Sequence, residues 1–218
     1  MSNIKKFKLN LIKQNIKGLA FDIDETLSFT AEYWVSELSR NFGNPQNLSA
    51  REIFQQYRYI QNFPHWQTKE ASDWMEWARN SNKVQKELPL IENSNHTVNK
   101  INKIIPVVCY LTVRPENVAK GTKHWLEKHN FPKAEIIARP KKILYEKGTQ
   151  WKARMLQELY PQVLGIVDDN PDLIGYLPDT YKGFIFLYDF PFYIPESENV
   201  LVCPTWDDVL KNVAEVLT

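Results

Sequence analysis

From residue 105 onward, short apolar runs alternate with amphipathic stretches, and this alternation constrains the fold more than any other feature of the chain. "IPVVCYLT" reads as a buried strand, "PENVAKGTKHWLEKHN" as a helix with Pro115 in its first turn, and "AEIIAR" as a strand. "TQWKARMLQELY" is the next helix, "VLGIVD" a strand, "NPDLIGYL" a short helix and "GFIFLY" a strand. "TWDDVLKNVAEVLT", capped by Thr205, closes the chain as an amphipathic helix. Apolar strands separated by helical patterns mean βαβ units, because parallel neighbours must be joined by a crossover that lays a helix on a face of the sheet. "KGLAFDID" has the same texture and supplies the first strand. The expected architecture is therefore α/β: a Rossmann-like parallel sheet with helices on both faces.

Residues 28–104 break the alternation. "AEYWVSELSRNF", "SAREIFQQYRYIQNF" and "KEASDWMEWARNS" carry apolar residues at helical spacing, with Ser49 and Thr68 as N-caps, and no strand run interrupts them. The chain thus divides into an α/β core of residues 1–27 and 105–218 and an inserted helical cap of residues 28–104. Trp34, Phe63, Trp66, Trp74 and Trp77 concentrate in the insertion. At helical spacing they read first as its core, with the alternative that one or two stack a base.

Charge narrows the function classes. The 27 basic and 26 acidic residues leave a net charge of +1, which gives no electrostatic case for a nucleic-acid or membrane-surface binder. Cys109 and Cys203 are too few for a disulfide framework, and no apolar run approaches the roughly 20 residues of a membrane span. A soluble cytoplasmic protein is expected; its oligomeric state is not legible. The basic start of the chain lacks a signal-peptide pattern and reads as a solvated arm. The four histidines show no metal-ligand spacing.

In an open parallel sheet, ligands bind beyond the carboxyl ends of the strands. The first strand ends in Asp22 and Asp24, the second in Thr112 and Arg114, and the strand near 166 in Asp168, Asp169 and Asp172. Lys147 stands just before a helix and Lys152 within it. Singly, each is an ordinary turn or helix-start signal. Together, carboxylates on two strand ends with a hydroxyl and a lysine nearby suit Mg²⁺ and a phosphate group.

The stretch Phe21–Leu27, with Asp22, Asp24 and Thr26, resembles the first motif of the haloacid dehalogenase superfamily, Asp-x-Asp-x-Thr. Leu111–Pro115 is similar to its second motif, Lys147 to its third, and Asp168–Asp169 to its fourth in the Asp-Asp form. The insertion stands where that superfamily carries a helical cap of its first type. "LTVRPENVAKGTKHWLEKH" and "GIVDDNPDLIG" are similar to the 5′(3′)-deoxyribonucleotidases and to the 3′-phosphatase domains of polynucleotide kinases.

The resemblance implies a Mg²⁺-dependent phosphomonoesterase acting on a nucleotide or other small phosphate ester. Asp22 is the nucleophile and Asp24 the acid and base. The metal is held by Asp22, Asp24 through its backbone carbonyl, Asp168 and Asp169, with Asp169 favoured as the direct ligand. Thr112 and Lys147 hold the phosphoryl oxygens, with Lys152 the alternative lysine. Arg114 either pairs with substrate phosphate or is a solvated cation, and Thr26 braces the loop. A polynucleotide 3′-phosphatase, a sugar-phosphate phosphatase and a non-catalytic binding protein are the alternatives. The carbon–halogen hydrolase branch typically lacks the second aspartate of the first motif.

Overall fold

The computed structural model describes residues 3–189 and 198–217. Among them six strands form one sheet, in the order β3-β2-β1-β4-β5-β6 and parallel throughout. They are β1 (Gly18–Phe21), β2 (Val107–Pro115), β3 (Glu135–Arg139), β4 (Val163–Asp168), β5 (Phe184–Tyr188) and β6 (Val200–Cys203). The order reverses at β1, which lies between β2 and β4. The carboxyl ends of these three strands therefore surround the crevice where such sheets bind ligands.

Side chains of alternate residues leave a strand on opposite faces, and the two apolar clusters follow that period. Leu19 and Phe21 pack into one cluster and Ala20 into the other. The first face is covered by α6 (Ser94–Ile104), α7 (Ala119–Lys128) and α10 (Trp206–Leu217). The second is covered by α1 (Asn3–Lys13), α8 (Gly148–Leu159) and α9 (Asp172–Gly175). The fold is the α/β architecture the alternation predicts, with a helical insertion after β1.

Two elements depart from the sequence reading. The basic N-terminus is a helix rather than a solvated arm: Leu11 is buried, Ile4 and Phe7 pack against the second cluster, and Lys8 donates to the carbonyls of Glu158 and Tyr160 at 2.8 and 2.6 Å. Its apolar residues recur at helical spacing, diluted by lysines that water solvates on the other side. β6 was missed as well, because "VLVC" is short and lies on the sheet edge, half open to water.

The insertion begins with α2 (Thr30–Phe42), α3 (Ala50–Tyr57), α4 (Lys69–Arg79) and α5 (Asn82–Glu87). Ser49 and Glu52 cap α3 reciprocally, and the Thr68 hydroxyl accepts from the Ala71 N–H at the start of α4, as the sequence indicated. Outgoing and returning strands of chain meet where Ser28 bridges Leu90 antiparallel, with Phe29 N–H to Pro89 O at 3.0 Å and Ile91 N–H to Leu27 O at 2.9 Å. Beyond this neck, α6 packs on α10 and β2. On the other side α5 lies against α7, where a Cβ at Gly121 would fall 2.5 Å from the Asn82 carbonyl oxygen. The absent side chain lets the two backbones touch, and the Asn82 amide oxygen accepts the Gly121 N–H at 2.6 Å. Phe63 and Trp66 are wholly buried and pack edge to face within the insertion, so they are core.

Candidate active site

Asp22 follows β1 directly and Asp168 ends β4, so adjacent parallel strands set two carboxylates side by side. Asp169 joins them, and one oxygen of each of the three lies within 4.8 Å of the others. Asp22 is 4% exposed and Asp168 fully buried. Lys152, 3% exposed, reaches in from α8 and pairs with Asp22 Oδ2 at 2.9 Å and Asp168 Oδ2 at 2.7 Å. Asp168 Oδ1 accepts the Asn170 N–H at 2.9 Å, and Asp169 Oδ1 accepts the Thr26 hydroxyl at 3.0 Å. Thr26 thus braces a carboxylate. Asp22 Oδ1 is buried and has no hydrogen-bond partner among the described residues.

Three carboxylates facing one ammonium leave an excess of negative charge. Burial drives Asp22 above the usual carboxylate range; Lys152 pulls it down, and Asp168 and Asp24 push it further up. Asp169 is raised by burial and then by Asp168 and Asp22. Lys152 is held above its ordinary value because the two aspartates outweigh its burial. A buried, unbonded carboxylate oxygen in such a cluster fits a hard divalent cation, which takes oxygen ligands.

Asp24 stands apart from the three. The backbone turns sharply after it, with Glu25 at a φ of 56°. Glu25 in turn accepts the Ala31 N–H of α2 at 2.6 Å. Arg114 Nε lies 3.0 Å from each Asp24 carboxylate oxygen and its Nη2 lies 2.6 Å from Oδ1. The Thr30 hydroxyl donates to the same oxygen. Burial alone would raise Asp24; the Arg114 guanidinium overcomes it and holds the carboxyl below its usual range.

Two residues left open by the sequence have defined settings. Arg114 is buried rather than solvated, and is engaged by Asp24, Ser28 and Thr122. Lys147 is exposed at the position that caps α8, whereas Lys152, a full turn further along, faces the carboxylates. The helical turn decides which of the two lysines points at the sheet. Thr112 is buried within β2, three residues before its end, and its hydroxyl accepts the Arg114 N–H at 3.2 Å.

A second group of side chains escaped the sequence reading. Arg139 ends β3, opposite Pro115 of β2. Tyr145 lies beyond it, 38% exposed, and the Arg79 guanidinium from α4 sits 4.2 Å from its ring centroid. Burial raises the Tyr145 phenol, Arg79 lowers it, and the charges of Asp24 and Asp22 push it up, so this group stands within electrostatic reach of the aspartates. The strand-end rule that selected Thr112 also applied to Arg139, the last residue of "AEIIAR".

No family profile and no curated protein matches the chain. Solved structures do. A dehalogenase covers 92% of this chain and 98% of its own, at 14% identity and a TM-score of 0.56. The Mycobacterium tuberculosis Protein Tyrosine Kinase A (PtkA) covers 91% and 98%, at 15% identity and a TM-score of 0.57. A superfamily hydrolase from Ehrlichia chaffeensis covers 93% and 100%, at 11% identity and a TM-score of 0.48. The chain has the haloacid dehalogenase-like fold. Among the described residues no helix is long and apolar enough to cross a membrane.

Proposed function

We propose that the protein is a Mg²⁺-dependent phosphomonoesterase acting on a small phosphate ester, with nucleotides the leading class. The observation that carries this reading is the Asp22 Oδ1 atom, buried without a partner at the switch point of the sheet and crowded by Asp168 and Asp169. In this reading α2–α5 form the cap, and α6, which packs on α10, belongs with the core.

Asp22, Asp169 and the backbone carbonyl of Asp24 would hold Mg²⁺, with Asp168 completing or orienting the set. When bound, the ion supplies Lewis-acid stabilisation of charge on the transferring phosphoryl group. Asp22 attacks phosphorus, the ester P–O bond breaks, and the leaving oxygen takes a proton, giving an aspartyl-phosphate. Water then attacks that phosphorus and releases phosphate, with Asp24 accepting the water's proton. The Arg114 pairing suits Asp24 to this base half of the cycle. For the acid half it must first take up a proton, which the approach of a phosphate dianion favours. Lys152 keeps Asp22 oriented, and Thr112 on the neighbouring strand would contribute to holding phosphoryl oxygens.

The test is phosphate release from nucleotides, sugar phosphates, 3′-phosphorylated oligonucleotides and an aryl phosphate, with Mg²⁺ and with EDTA. Metal-dependent release from at least one class is expected. Absence of release from all of them, or release unaffected by thorough metal depletion, would sink the proposal.

A further inference from the structure

Two guanidiniums and an indole N–H gather around Tyr145 beyond the end of β3 with little anionic charge to face them. Arg139 is 5% exposed; its Nε donates to the Val113 carbonyl at 3.0 Å and its Nη1 to the Ile143 carbonyl. No carboxylate among the described residues forms an ion pair with it. Arg79, from the cap, stacks on Tyr145 and lies 5.5 Å from the Trp34 ring centroid. Among the described residues its ion pair is with Glu76 at 2.6 Å, a carboxylate 68% open to water. Trp34 is 9% exposed, and its indole N–H has no hydrogen-bond partner among the described residues.

A buried cation without a counter-ion is costly, and a second cation beside it adds repulsion. Both guanidiniums face the Tyr145 ring, Arg79 at 4.2 Å and Arg139 at 5.9 Å from its centroid; burial, and then the field of Arg79, lowers Arg139 from its ordinary value against the opposing pull of Tyr145, Glu76 and Glu146. An anion placed between them would satisfy both, since a planar guanidinium fork matches carboxylate and phosphate oxygens.

We propose that Arg79 and Arg139, with Trp34 and Tyr145 beside them, form an anion subsite that selects phosphate esters whose leaving group carries a second anion, a carboxylate or another phosphate. This rests on the phosphatase reading: the aspartates take the phosphoryl group to be cleaved, and the subsite takes the other end of the same substrate. One arginine comes from the cap and the other from the core, so the ligand bridges the two.

The bland alternative is that Arg139 only braces the turn at 140–147 through its carbonyl contacts. A brace would not discriminate between ligands. The experiment therefore compares non-hydrolysable probes in excess Mg²⁺: methylphosphonate with one anionic group, phosphonoacetate with an added carboxylate, and methylenebisphosphonate with an added phosphoryl group. Binding is read by calorimetry. The wild-type protein should prefer one or both of the two-anion probes, and which one it prefers identifies the second anion. Arg79→Gln should cut that preference about tenfold, the loss of a charge-assisted hydrogen bond, while Arg79→Lys keeps part of it. Equal binding of all three probes to the wild type, or a preference unmoved by Arg79→Gln, would overturn the subsite. Metal-dependent phosphate release from the full substrate panel above, in the same preparations, reports separately on the phosphatase reading. Selective binding without turnover would reject that reading and leave the subsite standing.

Discussion

Lys152 and Asp22 form the contact on which the candidate chemistry turns, and each can be removed singly. Asp22→Asn should lower phosphate release by at least about a thousandfold, as removal of a nucleophile commonly does. It should leave thermal stability in EDTA equal or higher, because it deletes a buried charge whose Oδ1 has no partner. Turnover close to wild type, with contamination excluded, would reject Asp22 as nucleophile. Lys152→Met strands two buried carboxylates, and breaking such a pair costs about 3–5 kcal/mol. We expect it to lose activity and unfold at lower denaturant, with Mg²⁺ restoring part of the stability. Lys147→Met, altering an exposed residue, should stay within a few-fold of wild type. Parallel assays of the two lysine variants decide the assignment; the reverse order of effects would return the role to Lys147.

At the scale of elements, the cap is joined to the core by the neck at Ser28 and Leu90 and by a contact on the opposite side. There Arg58 and Tyr59, just past α3, both donate to Asp172 of α9, Tyr59 at 2.9 Å. Asp172 lies only a few residues beyond Asp168 and Asp169, so the latch ties the cap to the loop that carries the acidic cluster. The Arg58 pair is 65% exposed on the arginine side and adds at most about 1 kcal/mol. The half-buried Tyr59 hydrogen bond adds a comparable amount, roughly 0.5–1.5 kcal/mol. Energies this small shift a local opening equilibrium without unfolding the domain. Asp172→Ala should therefore speed amide exchange through α3 and residues 58–63 by about tenfold or more and leave exchange in the central strands unchanged. Unaltered exchange in the cap would show that the neck alone holds it.

For the whole molecule the acidic cluster sets the pH response of the metal-free protein. Asp22 and Asp169 are raised by burial and mutual repulsion, and burial lifts Glu25 to about 8. In the unfolded chain these groups titrate near ordinary carboxylate values, so between about pH 4 and pH 8 the folded state binds more protons. Stability from these groups is then full at low pH and declines as pH rises through their folded values. Asp24, lowered by Arg114, acts oppositely, but only at acid pH below the ordinary carboxylate range. In EDTA the melting temperature should fall by a few degrees from pH 6 to pH 8.5, and Asp169→Asn should flatten the decline. Mg²⁺ should stabilise more at pH 8.5 than at pH 6, because bound carboxylates must be ionised. A melting temperature in EDTA that rises across this range would contradict the raised carboxylates.

The alternation of strands and helices, the insertion after β1 and the acidic strand ends were legible in the sequence because each is a local pattern. Period two, period 3.6 and a capping residue are properties of neighbours along the chain, as Ser49, Thr68 and Ala20 between Leu19 and Phe21 show. The short edge strand β6 and the docked α1 were not, since burial on one side depends on what lies across the fold. The pairing of Arg114 with Asp24 spans 90 positions, and that of Lys152 with Asp168 spans 16. No local pattern distinguishes Lys147 from Lys152, or an engaged arginine from a free one; the packing of α8 on the sheet and the turn after β1 do. The group of Arg79, Tyr145 and Arg139 likewise joins α4 to the connection after β3, some sixty positions away. Sequence alone settled which residue types stand at the strand ends. The tertiary structure decided which of them meet, because charge pairing acts through space and ignores distance along the chain.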